Sequence, residues 1–104
     1  MIYQTLFEEM GIDALLIFDL KGTLLKSIEL EHDKNIAAMS GIVMTMCKEL
    51  AKDLKLGEAN QLIVKGKYGL FIAFEDKEKQ LIGLVTRDSS KLGLLMRKIE
   101  ILNT

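Results

Sequence analysis

The sequence predicts an α/β domain of the α+β type, in which helices flank a five-stranded antiparallel sheet. Short apolar runs bounded by turn residues occur first as a pair and later as a group of three, which is typical of strands joined by hairpins. Segments with helical spacing precede, separate and follow these groups. Three of the strands look apolar on both sides, so the helices must cover both faces of the sheet.

The first thirty residues predict one short helix and one hairpin. A helix over residues 2–10 follows from apolar residues spaced four apart, at Ile2, Leu6 and Met10. Every residue of the run 14–18 is apolar, which favours a strand that is buried on both faces. Asp19 and Gly22 then predict a tight turn. The following strand, 23–30, is more polar and is expected at an edge of the sheet.

A long helix is predicted over residues 34–55, and it is apolar on two sides. The larger side is expected to be the core stripe, with Ile36, Met39, Val43, Met46, Cys47, Leu50 and Leu54. The opposite side of its first half is small or uncharged, with Ala37, Ala38, Gly41, Ile42 and Thr45. A helix of this kind needs two surfaces to pack against. We assign the second to another subunit, with burial under the chain's own loops as the alternative.

The rest of the chain predicts three strands and a final helix. The segment 61–67 is polar at both ends and is expected at the second edge, whereas the more apolar segments 68–74 and 80–86 are expected in the centre. Asp88, Ser89 and Ser90 offer N-caps for a helix over about residues 90–102. The expected order is therefore α-β-β-α-β-β-β-α.

Four features carry a resemblance to a known family. An apolar strand closes with Asp19-x-x-Gly22, small residues predominate in Ala37-Ala38-Met39-Ser40-Gly41, Leu56-Gly57 ends the long helix, and Gly93-Leu94-Leu95 opens the last one. In these features and in its element order the chain resembles the Roadblock (dynein light chain) domain family, a relative of the profilin-like and longin folds. The resemblance covers nearly the whole chain, 1–104, as one domain. The first helix is shorter than is typical of the family.

The resemblance implies a non-catalytic regulatory or scaffold module that forms a homodimer. In such domains the third strand pairs with its copy and the long helices pack together, which here implies an interface of Ala37, Ala38, Gly41, Ile42, Thr45, Leu62, Ile63 and Val64. Members bind Ras-like GTPases, motor chains or membrane scaffolds, so a small Ras-like GTPase is the implied partner. A profilin-like small-molecule sensor is the alternative function.

Composition excludes several other classes. The formal net charge is −1, and the basic residues are scattered, which argues against a nucleic-acid ligand. No apolar run approaches the ~20 residues that cross a bilayer, and the first residues do not resemble a signal peptide. We therefore expect no membrane insertion and a cytoplasmic location. The mean hydropathy of +0.21 is high for a small monomer and fits an apolar subunit interface.

No catalytic constellation is visible in the sequence. His32 lies in a polar loop without a nucleophile or metal partner, and Cys47 is expected to be a buried, inert thiol. The segment Gly66-Lys67-Tyr68-Gly69 lacks the spacing and the strand-to-helix context of a phosphate-binding loop, which favours a hairpin turn. The sequence thus predicts no enzyme activity, no cofactor and no metal, and an enzyme ranks behind both other hypotheses.

Overall fold

The computed structural model describes the backbone of residues 2–102 and the side chains of residues 3–102. Within this range the elements follow the predicted order, with one 3₁₀ turn (Ser89–Lys91) before the last helix. They are α1 (Ile2–Met10), β1 (Ala14–Phe18), β2 (Leu24–Ile28), α2 (Asp33–Asp53), β3 (Gln61–Gly66), β4 (Gly69–Glu75), β5 (Leu81–Thr86) and α3 (Leu92–Leu102). The Ile2 side chain, expected in the apolar stripe of α1, lies outside the described side chains.

The five strands form one antiparallel sheet in the order β2-β1-β5-β4-β3. Both predicted edge strands, β2 and β3, lie at its edges, and the more apolar strands lie between them. All five residues of β1 are buried, which explains the uninterrupted apolar run at 14–18. The fold class deduced from the sequence is therefore confirmed.

Helices cover both faces of the sheet and form two separate core clusters. The first lies under α1 and α3, and its buried residues include Leu6, Leu15, Ile17, Ile72, Phe74, Ile82, Leu84, Leu95 and Ile99. The second lies under α2, with Leu16, Phe18, Ala37, Met44, Ala73 and Leu81. Alternate residues of β1 contribute to the two clusters, as the two-residue period of a strand requires.

Polar contacts hold α1 at both of its ends. The Tyr3 hydroxyl donates to Asp76 Oδ2 at 2.9 Å, and the Tyr3 ring packs edge-on against Phe74. At the other end, Lys91 Nζ donates to the carbonyl oxygens of Met10 and Gly11, both at 3.0 Å. The lysine thus satisfies carbonyls that a helix end leaves without a partner.

The β1–β2 turn makes an unusually close contact with α2. Backbone N–H groups of Lys21 and Thr23 donate to Asp19 Oδ1 at 3.0 Å, and Gly22 has a φ of 82°. A Cβ atom on Gly22 would lie 2.8 Å from Ala38 Cα, and a Cβ on Gly41 would lie 2.8 Å from Gly22 Cα. The turn predicted from Asp19 and Gly22 is present, and it rests on the helix backbone.

The expected core stripe of α2 is wrong. The residues buried beneath α2 are Ala37, Ser40, Gly41, Met44 and Ala51. Five residues of the expected stripe are exposed and two are half-buried: Met39, Val43, Met46, Leu50 and Leu54, then Ile36 and Cys47. Large side chains of the sheet, such as Phe18 and Leu81, already fill the space below the helix, and the turn at Gly22 admits only small residues.

Of the predicted N-cap residues, Asp88 has that role, at the 3₁₀ turn that leads into α3. Asp88 Oδ1 accepts hydrogen bonds from the backbone N–H and the hydroxyl of Ser90 at 3.0 and 2.6 Å, and these bonds lower the pKa of Asp88. Residue His32 precedes α2 in the left-handed conformation and makes no side-chain cap. Asp33 instead accepts a hydrogen bond from the Ser27 hydroxyl at 2.6 Å, which lowers the pKa of Asp33 and joins α2 to β2.

Candidate interaction surface

The residues predicted as an interface divide into two groups in the structure. Ala37 and Gly41 are buried against the chain's own sheet and turn, as the alternative for this patch described. The other helix residues, Ala38, Ile42 and Thr45, are exposed. On β3, Leu62 is half-buried, whereas Ile63 and Val64 are 41% and 50% exposed. Six of the eight residues therefore have surface available for a partner.

The expected core residues of α2 form an exposed apolar face instead. We call Met39, Val43, Met46, Leu50 and Leu54 the α2 apolar face. Each is between 41% and 65% exposed. Contiguous exposed apolar surface of this kind marks an interaction site in a soluble protein more often than it remains in water. The sequence contains the signal, since these residues stand out on a helical wheel, but it does not show which side faces the sheet.

Part of the sheet beside α2 is left without a helix over it. Val64 is opposite Phe71, and Phe71 is opposite Val85, so their side chains share the face that α2 covers elsewhere. Phe71 and Val85 are only half-buried, and the Phe71 ring lies over Gly83. We call Leu62, Val64, Phe71 and Val85 the open sheet patch. This patch and the α2 apolar face give the surface two adjoining parts, one helical and one on the sheet.

The two edge strands differ in how well they are protected from pairing with another strand. In β2 the register with β1 shifts between Ile17 and Phe18, which leaves Leu25 as an extra residue. Such a bulge interrupts an edge and discourages pairing. Strand β3 pairs with β4 over its whole length without any shift in register. Apart from Lys65 near its end, β3 has no bulge, proline or charged residue that would discourage pairing.

Backbone groups of β3 point outward at every second residue. The Glu75 N–H donates to the Asn60 carbonyl at 2.9 Å, and these two residues are opposite each other in the β3–β4 register. Since antiparallel hydrogen bonding alternates along a strand, Leu62 and Val64 bond to β4. The N–H and C=O groups of Gln61, Ile63 and Lys65 therefore face the open edge and are available to another strand.

One lysine joins α2 to the beginning of β3. Lys48 Nζ donates to the Ala59 carbonyl at 2.7 Å and lies 3.3 Å from Glu75 Oε2 and 3.6 Å from Glu58 Oε1. The Lys48 and Glu75 side chains are 20% and 8% exposed, so this is a largely buried pair. The charged residues Glu49, Lys52 and Asp53 nearby on the helix predict a solvated position for Lys48, but the structure makes it a link between α2 and the beginning of β3.

The structure brings together no catalytic or metal-binding group within the described residues. No cluster of three His, Cys, Asp or Glu side chains that could hold a metal ion occurs there. Cys47 is half-buried on α2, and Gly66-Lys67-Tyr68-Gly69 is the β3–β4 hairpin turn, as predicted. Burial and the bond to Asp76 raise the pKa of Tyr3, which keeps its hydroxyl a donor. No helix between residues 2 and 102 has both the length and the apolar character that crossing a membrane requires.

Similar folds occur in solved structures. MglB from Myxococcus xanthus aligns with a TM-score of 0.83 at 15% sequence identity, covering 95% of this chain and 83% of that chain. A structure described as MglB with tetrameric arrangement gives 0.82 at 20% identity, with coverages of 96% and 78%. A Roadblock/LC7 domain from Streptomyces avermitilis gives 0.66 at 11% identity, with coverages of 86% and 82%. At these identities the similarity establishes the fold alone.

Sequence comparison assigns the family. No curated protein matches the sequence significantly. The family model described as Roadblock/LC7 domain matches residues 1–86, which is most of the chain and includes everything from α1 to the end of β5. The resemblance noted in the sequence is therefore confirmed. The chain belongs to the Roadblock/LC7 domain family, whose members serve as regulatory domains.

Proposed function

We propose that this protein is a non-catalytic regulatory or scaffold module that acts as a homodimer. One observation supports this most: the α2 apolar face, the open sheet patch and the unprotected edge of β3 adjoin each other. A twofold axis beside β3 would join the two β3 edges in an antiparallel pair and bring each apolar surface against its copy. Such an interface is isologous, because the same surface serves both subunits.

The apolar character of this surface suits a stable dimer. Among the described residues, most of the large exposed hydrophobic side chains lie on α2, at its C-cap or on β3: Met39, Ile42, Val43, Met46, Leu50, Leu54, Ile63 and Val64. Homodimer interfaces are more apolar than other protein surfaces. A helix face and a strand edge that are both apolar therefore fit a homodimer interface.

The proposed partner class is a small Ras-like GTPase in the cytoplasm. Its support is membership in the Roadblock/LC7 domain family. The resemblance noted in the sequence implies Ras-like GTPases among the partners of such domains. The proposed role is regulation by contact, with any nucleotide chemistry occurring on the GTPase.

The sensor alternative requires a ligand cavity between the sheet and a helix. The buried side chains described in both core clusters are apolar, and the buried polar residues among the described ones are Ser40 and Thr86. Thr86 accepts a hydrogen bond from the Asp88 N–H and so is already satisfied. No observation favours a recognition site there, and we do not propose the sensor function.

The mass in solution, measured by light scattering over a range of concentrations, tests the homodimer. We expect a dimer for the parent protein, a monomer for Leu50→Glu, and a dimer for Leu94→Glu. Leu94 is the matched control for Leu50. Both leucines are exposed on helices, at 51% and 59%, but only Leu50 belongs to the α2 apolar face. A monomeric parent, or equal masses for the two variants, would rule out this interface.

The GTPase part is tested with purified Ras-like GTPases encoded in the same genome. Isothermal titration calorimetry with each GTPase, loaded with GDP or with a GTP analogue, should give saturable binding to the dimer for at least one of them. The protein alone should hydrolyse no GTP. Hydrolysis by the isolated protein, or the absence of binding to every such GTPase, would contradict the proposed regulatory role.

A further inference from the structure

A groove lies beside the β3–β4 turn, on the margin of the open sheet patch. We call it the Tyr68 groove. Its lining includes Val64, Lys67, Tyr68, Phe71 and Arg87, and its volume is about 340 Å³. Tyr68 is 74% exposed, and Lys67 Nζ lies 5.5 Å from the centre of its ring. Tyrosine and arginine are enriched among the residues that contribute most to binding. An exposed tyrosine beside an apolar groove therefore suggests a binding position.

The end of α2 is apolar and exposed. Leu54 and Leu56 are 58% and 73% exposed, although the backbone around them is fixed by hydrogen bonds from Leu54 N–H to Leu50 and from Leu56 N–H to Ala51. The helix has 21 residues, about 32 Å, whereas five strands span only about 19 Å between the outer two. The helix contacts β2 through Asp33 and already reaches β4 at Lys48, so its last turns approach the open edge of the sheet.

Twofold symmetry would bring these two features together. The contact of Lys48 with Ala59 places the end of α2 near the beginning of β3, whereas Tyr68 follows the end of β3. In an antiparallel pair of β3 strands, the beginning of one strand lies beside the end of its copy. The end of α2 in one subunit would thus lie close to the Tyr68 groove of the other.

The argument for this contact is apolar and does not depend on charge. The groove carries the cationic side chains of Lys67 and Arg87. The last turn of α2 carries Asp53 but also Lys52, and Lys55 follows it, so charges of both signs lie at the end of the helix. The exposed side chains of Leu54 and Leu56 therefore favour this occupant.

We propose that the end of α2, with Leu54 and Leu56, occupies the Tyr68 groove of a second copy of this chain. Tyr68 is then the main anchor of the contact, and each dimer contains the contact twice. This proposal rests on the homodimer proposed above and adds which segment of one subunit meets which groove of the other. Within one chain, Leu54 and Tyr68 lie near opposite ends of β3, so the contact forms only between subunits.

Cross-linking tests this placement directly. A chain with Cys47→Ser, Leu54→Cys and Tyr68→Cys is treated with a short bifunctional maleimide and analysed on a denaturing gel. We expect covalent dimers, whereas chains with only one of the two new cysteines remain unlinked. A chain that combines Leu54→Cys with Leu25→Cys, at the opposite edge of the sheet, is the matched control and should also remain unlinked.

A second variant measures how much Tyr68 contributes to the affinity of the dimer. Tyr68→Ala should raise the dissociation constant of the dimer about thirtyfold or more, in the range of residues that dominate interfaces, while circular dichroism and the thermal midpoint of the monomer remain unchanged. If the parent protein is monomeric, the homodimer itself fails. If the parent is a dimer but neither covalent dimers nor a weaker Tyr68→Ala dimer are found, the homodimer stands and the groove placement is overturned.

Discussion

The contact between Gly22 and Gly41 determines how closely α2 approaches the sheet. Neither residue has room for a side chain, because a Cβ on either would lie 2.8 Å from backbone atoms of the opposite segment. Backbone atoms cannot move aside as the end of a flexible side chain can. The Asp19 hydrogen bonds hold the turn in place, so the strain of a larger residue would displace the helix.

Replacing Gly41 and replacing Gly93, both within helices, should therefore change the free energy of unfolding in opposite directions. We expect Gly41→Ala to lower the free energy of unfolding by about 1–3 kcal/mol through overpacking. Gly93→Ala, also within a helix but with no atom within 4 Å of the added Cβ, should raise it by up to about 1 kcal/mol. Urea unfolding at one fixed protein concentration measures both. A Gly41→Ala protein as stable as the parent would show that the contact is looser than described.

At the scale of elements, the sequence predicted every helix and strand but not the orientation of α2. Strands and turns were predictable because apolar runs, Asp19 and Gly22 constrain the chain locally. The orientation of α2 depends on the sheet, which the local pattern does not contain. Both sides of the helix are apolar, and the local pattern favours the side with the larger residues as the core side. Small residues such as Ala37 and Gly41 face the sheet because the close contact with Gly22 leaves no room for larger ones.

The burial of Lys48, like the orientation of α2, could not be predicted from the local sequence. Glu49 and Lys52, on the same half of the helix, are charged and exposed, which suggests a solvated lysine at position 48 as well. Its partners Ala59 and Glu75 are distant in sequence. Only the folded arrangement brings a buried carboxylate to the ammonium group. Lys48 thereby connects the helix half and the strand half of the candidate surface.

Removing the Lys48 ammonium should destabilise the join between α2 and β3. We expect Lys48→Met to lower the free energy of unfolding by about 1–3 kcal/mol, because Glu75 loses its buried partner and the Ala59 carbonyl loses a donor. Lys52→Met, at an exposed position of the same helix, should change it by less than about 0.5 kcal/mol. Adding Glu75→Gln to Lys48→Met should recover part of the loss. Equal stability of the two lysine variants would contradict this role.

At the scale of the whole molecule, the sheet has two edges of unequal character. The positions of β2 and β3 at the two edges followed from the sequence, as did the apolar excess that fits an interface. The bulge at Leu25 and the outward direction of the Ile63 N–H did not, since both depend on register between strands. These two features make β3, and not β2, the edge that is suited to pairing. A dimer formed there would contain one continuous ten-stranded sheet.

Proline at Ile63 should separate pairing between subunits from pairing within the chain. The Ile63 N–H faces the open edge, so Ile63→Pro removes a donor for a second β3 strand without removing a hydrogen bond to β4. Ile63→Ala removes the same side chain but keeps the N–H. Light scattering should show a monomer for Ile63→Pro and a dimer for Ile63→Ala, with circular dichroism spectra of folded protein for both. A folded Ile63→Pro dimer would show that the subunits join without the β3 edge, through the helices alone.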